Sequence, residues 1–235
     1  MRQQIAGLVL ASVCTLAVGC TDNVSGKAVP ADKSGPFGQA AIPVSALDKL
    51  LLDVSQINTA LGATSMKVWF EAKKMWDWSA DVPDKNCLAV DGPAQDKVYA
   101  NTGWLTVRGQ RIDDSIDGSK KRDHYAIQSV VAFSSARDAS SFYKSSTTSW
   151  PACSNRAFTD PNPGQRDTVW SVAGVTNADG TLSTTETQEG GNGWTCQRAL
   201  TVRNNVAIDI VACSFSPGSA AVDIATQIAA KAFQR

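Results

Sequence analysis

The sequence predicts an α+β domain, a largely antiparallel sheet with helices at the start, centre and end of the chain. Three observations carry this. β-rich runs fill the middle, from about 97 to 213, while stripes of 3.6-residue period stand before, among and after them. Two neighbouring runs meet at Asn204-Asn205, a loop short enough to demand an antiparallel hairpin. A 43% hydrophobic content over 235 residues supplies one sizeable core. The regular βαβ alternation of a parallel sheet is missing.

The first helix is predicted over 45–61. Leu47, Leu50, Leu51, Val54, Ile57 and Leu61 form its stripe, Ser45 and Asp48 its cap, and Gly62 its stop. Trp69, Phe70, Met75, Trp76 and Trp78 follow without a readable period. Runs 97–108 and 124–133 read as strands. Ser135 and Asp138 open a second helix that runs to about 148, buries Ala139, Phe142 and Tyr143, and ends at Trp150-Pro151. Runs 167–175 and 181–188 read as strands joined through Asn177-Ala178-Asp179-Gly180. Ser219 caps the last helix, with Val222, Ala225, Ile228, Ala229 and Phe233 inward.

The hairpin fixes a register. With Asn204-Asn205 as its loop, Cys196 and Cys213 stand equally far from the turn and directly opposite each other. Counted outward from the Arg203/Val206 pair they occupy a non-hydrogen-bonded site, where Cα atoms are roughly 4.5 Å apart and a cross-strand disulfide can close. Cys87–Cys153 then follows by elimination. Zinc is the rival use of four thiolates, but no C-x-x-C spacing occurs.

The opening residues read as an address. After a singly basic start, Ile5 to Val18 is apolar or small, too short for the roughly 20 residues of a spanning helix but suited to a secretory signal. Its end, Ala17-Val18-Gly19-Cys20, resembles the bacterial lipobox, whose cysteine takes a diacylglyceryl group and becomes the new N-terminus. The expected organisation is a lipoprotein signal peptide over 1–19, a lipidated Cys20, a flexible tether over 20–42 and one domain over 43–235. The expected place is the outer face of the cell membrane, held by the lipid.

Charge and chemistry narrow the function. Twenty-two basic and 22 acidic residues give zero net charge, against the basic face that nucleic acid requires. There is one histidine, His124, and no G-x-S-x-G, H-E-x-x-H or phosphate loop, so no catalytic residue, metal or cofactor is expected. Asp113, Ser115 and Asp117 before Gly118 copy half a calcium loop, but His124 stands where the bidentate Glu belongs. A carboxylate hydrolase would draw on Asp113, Asp114, Glu186, Glu189 and Asp209. Trp69, Trp76 and Trp78 lie close enough in sequence to share a patch, and Arg198 and Asp209 read as a structural pair on the hairpin.

Three runs carry a family resemblance: W-P-A-C at 150–153, G-W-T-C-Q-R-A-L at 193–200 and N-N-V-A-I-D-I-V-A-C at 204–213. Together with V-Y-A-N-T-G-W at 98–104 and R-G-Q at 108–110, they resemble the PknH-type extracellular sensor domain. That domain is the outer part of a mycobacterial receptor Ser/Thr kinase and recurs in mycobacterial lipoproteins. The resemblance implies a twisted antiparallel sheet, two disulfides matching the pairing above and a cleft for an unidentified ligand. The expected function is therefore a non-enzymatic, monomeric, lipid-anchored binding or sensor-like domain for a small molecule or envelope component. Tyr99, Trp104, Arg108, Trp194, Gln197 and Arg198 are the candidate ligand contacts, as polar-aromatic residues of these motifs. Rival readings are an envelope lipid or glycolipid carrier, a protein-interaction module and the hydrolase.

Overall fold

The computed structural model describes residues 40–118 and 121–233. The signal peptide, Cys20 and the tether up to 39 lie outside the described residues. Ala40 to Ile42, expected to end the tether, belong to the fold. Asn204 Nδ2 donates to the Ala40 carbonyl, and Ile42 is buried with its backbone N–H donated to Asn205 Oδ1 at 2.8 Å.

The described residues form a nine-stranded antiparallel sheet. Its strands are β1 (Lys67–Ala72), β2 (Trp104–Asp113), β3 (His124–Phe133), β4 (Arg156–Asp160), β5 (Thr168–Val172), β6 (Thr176–Ala178), β7 (Thr181–Gln188), β8 (Thr195–Arg203) and β9 (Val206–Ser214). Their spatial order is β1-β2-β3-β9-β8-β7-β5-β4, with β6 paired to β7 off that path. The α+β, largely antiparallel architecture with flanking helices is thus the one the sequence predicts.

The central strands are buried on both faces, which removes the usual in–out alternation. Every residue of β9 is buried. Ile208 and Ile210 face helix α5 (Ala220–Phe233), whose Ile224, Ala225 and Ile228 join α1 (Val54–Leu61) in one core. Ala207 and Val211 face the other core, where Tyr99, Phe133, Phe142 and Trp150 gather under helix α4 (Ala136–Ser149). The Tyr99 and Phe142 rings stack there at 4.2 Å between centroids. Cys87–Cys153 ties the long segment before β2 to the end of α4, and Cys196–Cys213 spans β8 and β9 with Cα atoms 3.9 Å apart. The Asn204-Asn205 turn has the register expected of it, Arg203 opposite Val206 and Cys196 opposite Cys213.

Four element boundaries differ from expectation. The single helix over 45–61 is two pieces, a 3-10 turn (Val44–Lys49) and α1. The Gln128 side chain takes both the N–H and the carbonyl of Leu52, replacing helical bonds, and Asp53 restarts the helix in a capping box with Gln56. The strand expected over 97–108 opens instead as a short helix, α3 (Asp96–Tyr99), and becomes extended only at Trp104, because Asn101 (φ 62°) and Gly103 (φ 79°) take left-handed backbone that breaks an extended run. The run 167–175 is likewise interrupted at 173–175, where the Ser154 side chain accepts from Val175 N–H, and the turn into β7 narrows to Asp179-Gly180, both at positive φ. The strands β1 and β4 were not legible, being short and exposed along most of their length.

Candidate functional site

The register assembles a cleft at one end of the sheet. Residues opposite one another share a face, so Tyr125, Cys213, Cys196 and Glu186 line up in one row across β3, β9, β8 and β7. That row floors a cleft of about 650 Å³. Helix α2 (Leu88–Asp91) and the chain before it give the first wall, with Trp78 and Asp91. The β4–β5 hairpin gives the second, with Asp160 and Trp170, and the 191–194 turn with Phe215 gives the third. Trp194 meets Phe215 edge-on at 5.5 Å, and Trp170 Nε1 donates to Asp160 Oδ2 at 2.9 Å. Gly92 matters here, since a Cβ on it would lie 2.4 Å from the Trp78 ring.

Three carboxyls from distant parts of the chain converge on this cleft: Asp91, Asp160 and Glu186. Burial pushes Asp91 up to about 8, and the nearby Asp160 adds to that, against the pull of Arg198. Burial likewise raises Glu186 well above the carboxylate range, with Asp91 acting in the same direction. Glu186 is 2% exposed, and among the described residues its Oε2 has no hydrogen-bond partner. On the opposite side, the Arg122 guanidinium lies 4.1 Å over the Tyr125 ring. Among the described residues no group of three or more His, Cys, Asp or Glu is arranged to hold a metal ion.

One row inward from the floor stands a buried brace. Arg198 is fully buried, donating to the carbonyls of Ala89, Val90 and Ile210 and to Asp209 at 2.7 Å. Asp209 also accepts from Tyr99 Oη (3.0 Å) and the Ala94 N–H (2.9 Å). The brace pins α2 and the chain after it to the sheet, and so positions Asp91.

Of the six candidate ligand contacts, the structure brings Trp194 to the cleft wall. Arg198 and Tyr99 belong to the brace, with Tyr99 wholly inside the core. Gln197 points to the other face, where its Oε1 accepts from the Ala221 and Val222 N–H groups at the start of α5. Trp104 is half-buried against the second core, and Arg108 pairs with Asp48 at 3.2 Å on the opposite side of the sheet. The expected tryptophan patch separates: Trp78 lines the cleft, Trp76 packs where a Cβ on Gly109 would meet it at 2.5 Å, and Trp69 covers Gly118. Among the named carboxylates only Glu186 reaches the cleft. Asp113 pairs with Arg111, Asp114 with His124, Glu189 with Ser171 and Asp209 with Arg198. Asp91 and Asp160 escaped sequence reasoning, because neither sits in a motif and only tertiary structure brings them to Glu186.

Fold and cleft together define a disulfide-braced, single-sheet α+β domain with an acid- and aromatic-lined cleft at one end of the sheet. The chain belongs to the family of PknH-like extracellular domains, whose model matches residues 42–231. It is 33% identical over 185 residues to the serine/threonine-protein kinase PknH of Mycobacterium bovis and of Mycobacterium tuberculosis. The match covers 79% of this chain and 30% and 29% of those kinases, so the chain spans less than a third of their length. The crystal structure of the extracellular domain of PknH from Mycobacterium tuberculosis superposes with a TM-score of 0.78 at 31% identity, covering 83% of this chain and 99% of that one. What this chain shares with the kinases is thus their extracellular domain, and the family implies an exported location. No helix among the described residues is long and apolar enough to cross a membrane.

Proposed function

We propose that this chain is a lipid-anchored, non-catalytic ligand-binding domain of the cell envelope, held to the outer face of the membrane through Cys20. The observation that carries the binding reading is the cleft. It is large enough for a small molecule, has tryptophan on three walls, and holds a buried carboxyl oxygen with no partner among the described residues. A sequence with one histidine and no G-x-S-x-G, H-E-x-x-H or phosphate-loop motif supports a binding role over catalysis. An acyl chain suits this cleft poorly, since it would cover Asp91, Asp160 and Glu186 with a group that offers them no hydrogen bond. The sensor-like role follows the family, with the ligand signalling, or competing for, a receptor kinase.

Two measurements test this. Thermal-shift scanning of the purified domain against envelope glycans and lipids should give a stabilising hit that Trp78→Ala or Trp194→Ala abolishes. Persistent absence of any shift overturns the binding reading. Intact mass of the membrane-extracted protein should show a diacylglyceryl adduct that Cys20→Ser removes, and an unmodified Cys20 overturns the anchor.

A further inference from the structure

The cleft's chemistry identifies the kind of ligand, and this step rests on the binding reading above. Asp91 from α2, Asp160 from the end of β4 and Glu186 from β7 face one space, with Asp81 at its margin. A buried acceptor without a donor is destabilising, a cost that a bound donor removes. The nearby cation cannot supply it. Arg198 has its Nε on Val90, one terminal nitrogen on Ile210 and the other on Ala89 and Asp209. Arg122, across the cleft, lies over Tyr125 and within 3.9 Å of Asp113. Acid therefore outweighs base around the space, and Trp78, Trp170 and Trp194 present rings of the kind that attract cations.

We propose that the cleft takes an organic ammonium group, donating to Glu186 beside Asp91 and Asp160, with its carbon body against the wall tryptophans. An ammonium supplies three donors and a positive charge, which the acid wall and the partnerless oxygen both call for. A phosphate or carboxylate ligand opposes any loss of protons from Asp91 and Glu186, and a neutral polyol finds hydrogen bonds but leaves those protons in place; only a cation is favoured by drawing them off. The groups facing Glu186 are Asp91 and Asp160 on the acid side, Arg198 behind the floor and Arg122 and Tyr125 across the space. Since Asp91 titrates at about 8, cation binding draws a proton off the cleft and strengthens as pH rises from 5 to 8.

Calorimetry and tryptophan fluorescence on the purified chain test this with five probes: cadaverine, spermidine, glucosamine, N-acetylglucosamine and glucose 6-phosphate. The expected result is binding by at least one amine, about tenfold or more tighter at pH 8 than at pH 5, with buffer-dependent heats that report proton release. The aliphatic amines and glucosamine distinguish a polyamine-like from an aminosugar-like source. Glu186→Gln is expected to weaken amine binding tenfold or more, and Asp91→Asn serves if that variant does not fold. N-acetylglucosamine binding as well as glucosamine, or amine binding unchanged in both variants, overturns the proposal. If only a neutral or anionic probe moves the tryptophan signal, the cleft remains a ligand site and the ammonium assignment fails. If no probe moves it, the assignment fails and the glycan and lipid scan decides the binding reading by itself.

Discussion

Replacing Arg198 with methionine separates what the brace contributes from what merely surrounds it. Methionine keeps an unbranched, largely apolar stem but removes the guanidinium and with it every donor. The carbonyls of Ala89, Val90 and Ile210 lose their partner, and Asp209 is left with the Tyr99 hydroxyl and the Ala94 N–H. Removing one partner of a fully buried ion pair costs about 3–5 kcal/mol, where replacing both partners can be nearly neutral. For a domain of this size that corresponds to roughly 6–20 °C in Tm, at about 2–4 °C per kcal/mol. Urea unfolding with both disulfides intact measures the loss. Arg198→Met with Asp209→Asn closes a double-mutant cycle, and the double variant should be more stable than the two single losses added together. A single-variant cost below about 1 kcal/mol refutes the brace, as does a cycle additive within about 0.5 kcal/mol.

Three further outcomes follow from the same structure. The folded Asp91 binds protons up to about 8 whereas an unfolded Asp releases them near its ordinary 3.8, so its contribution to stability is complete below about 4 and is lost as pH rises to about 8; Asp91→Asn should flatten that slope, at most about 1.4 kcal/mol per pH unit, in urea midpoints read at pH 5 and pH 8. Cys87→Ala with Cys153→Ala opens a loop of sequence separation 66 and should cost about 4 kcal/mol, against about 3 kcal/mol for the Cys196–Cys213 pair at separation 17, a ranking that calorimetric unfolding checks. Asn205→Ala removes the amide that holds both the N–H and the carbonyl of Ile42 and also donates to Phe133; limited proteolysis should then cut ahead of Val44 while the core stays resistant, and an unchanged digestion pattern counts against this anchoring.

What the sequence discloses is what local spacing controls. Cys196, Cys213 and the Asn204-Asn205 turn lie within one hairpin, so counting residues yields the register and with it the disulfide. Helix α4 carries its Ser135 cap and its stripe in contiguous residues, and α5 its stripe from Ala220 to Ala232, although the first N–H groups of α5 are held by Gln197 of β8 rather than by the Ser219 side chain, and Phe233 is exposed. The segment between β1 and β2 is different. Its conformation depends on long-range partners: Gln95 Oε1 accepting from Trp78 N–H, Asp209 accepting from Ala94 N–H, and Arg198 reaching Ala89 and Val90. No periodicity encodes such contacts. Glu186 stood out in sequence as one carboxylate among several, but its meaning lies in Asp91 and Asp160, which reach it only through the packing of α2 and β4 against the end of the sheet. Arg198 and Asp209 were readable as a pair because they sit diagonally on one hairpin, and the structure adds that the pair is the fixture holding the cleft wall.

That position makes stability and cleft chemistry inseparable at residue 198 and separable one residue earlier. Arg198 binds the backbone of Ala89 and Val90, next to Asp91 in α2, and its charge opposes the protonation of both Asp91 and Glu186. Arg198→Met must therefore destabilise the fold and also drive the cleft acids further towards their neutral forms, moving any pH-dependent cleft signal to higher pH. Gln197 lies on the opposite face of β8 and accepts from the first N–H groups of α5. Gln197→Ala removes only that cap, worth about 0.5–2 kcal/mol. Titrating the cleft tryptophans from pH 5 to 9 in both variants distinguishes the roles: Gln197→Ala should keep the wild-type midpoint despite its lower stability, and Arg198→Met should shift it upward. If the two variants titrate alike, the charge of Arg198 does not reach the cleft, and the acid wall owes its protonation to burial and to the carboxyls crowded there.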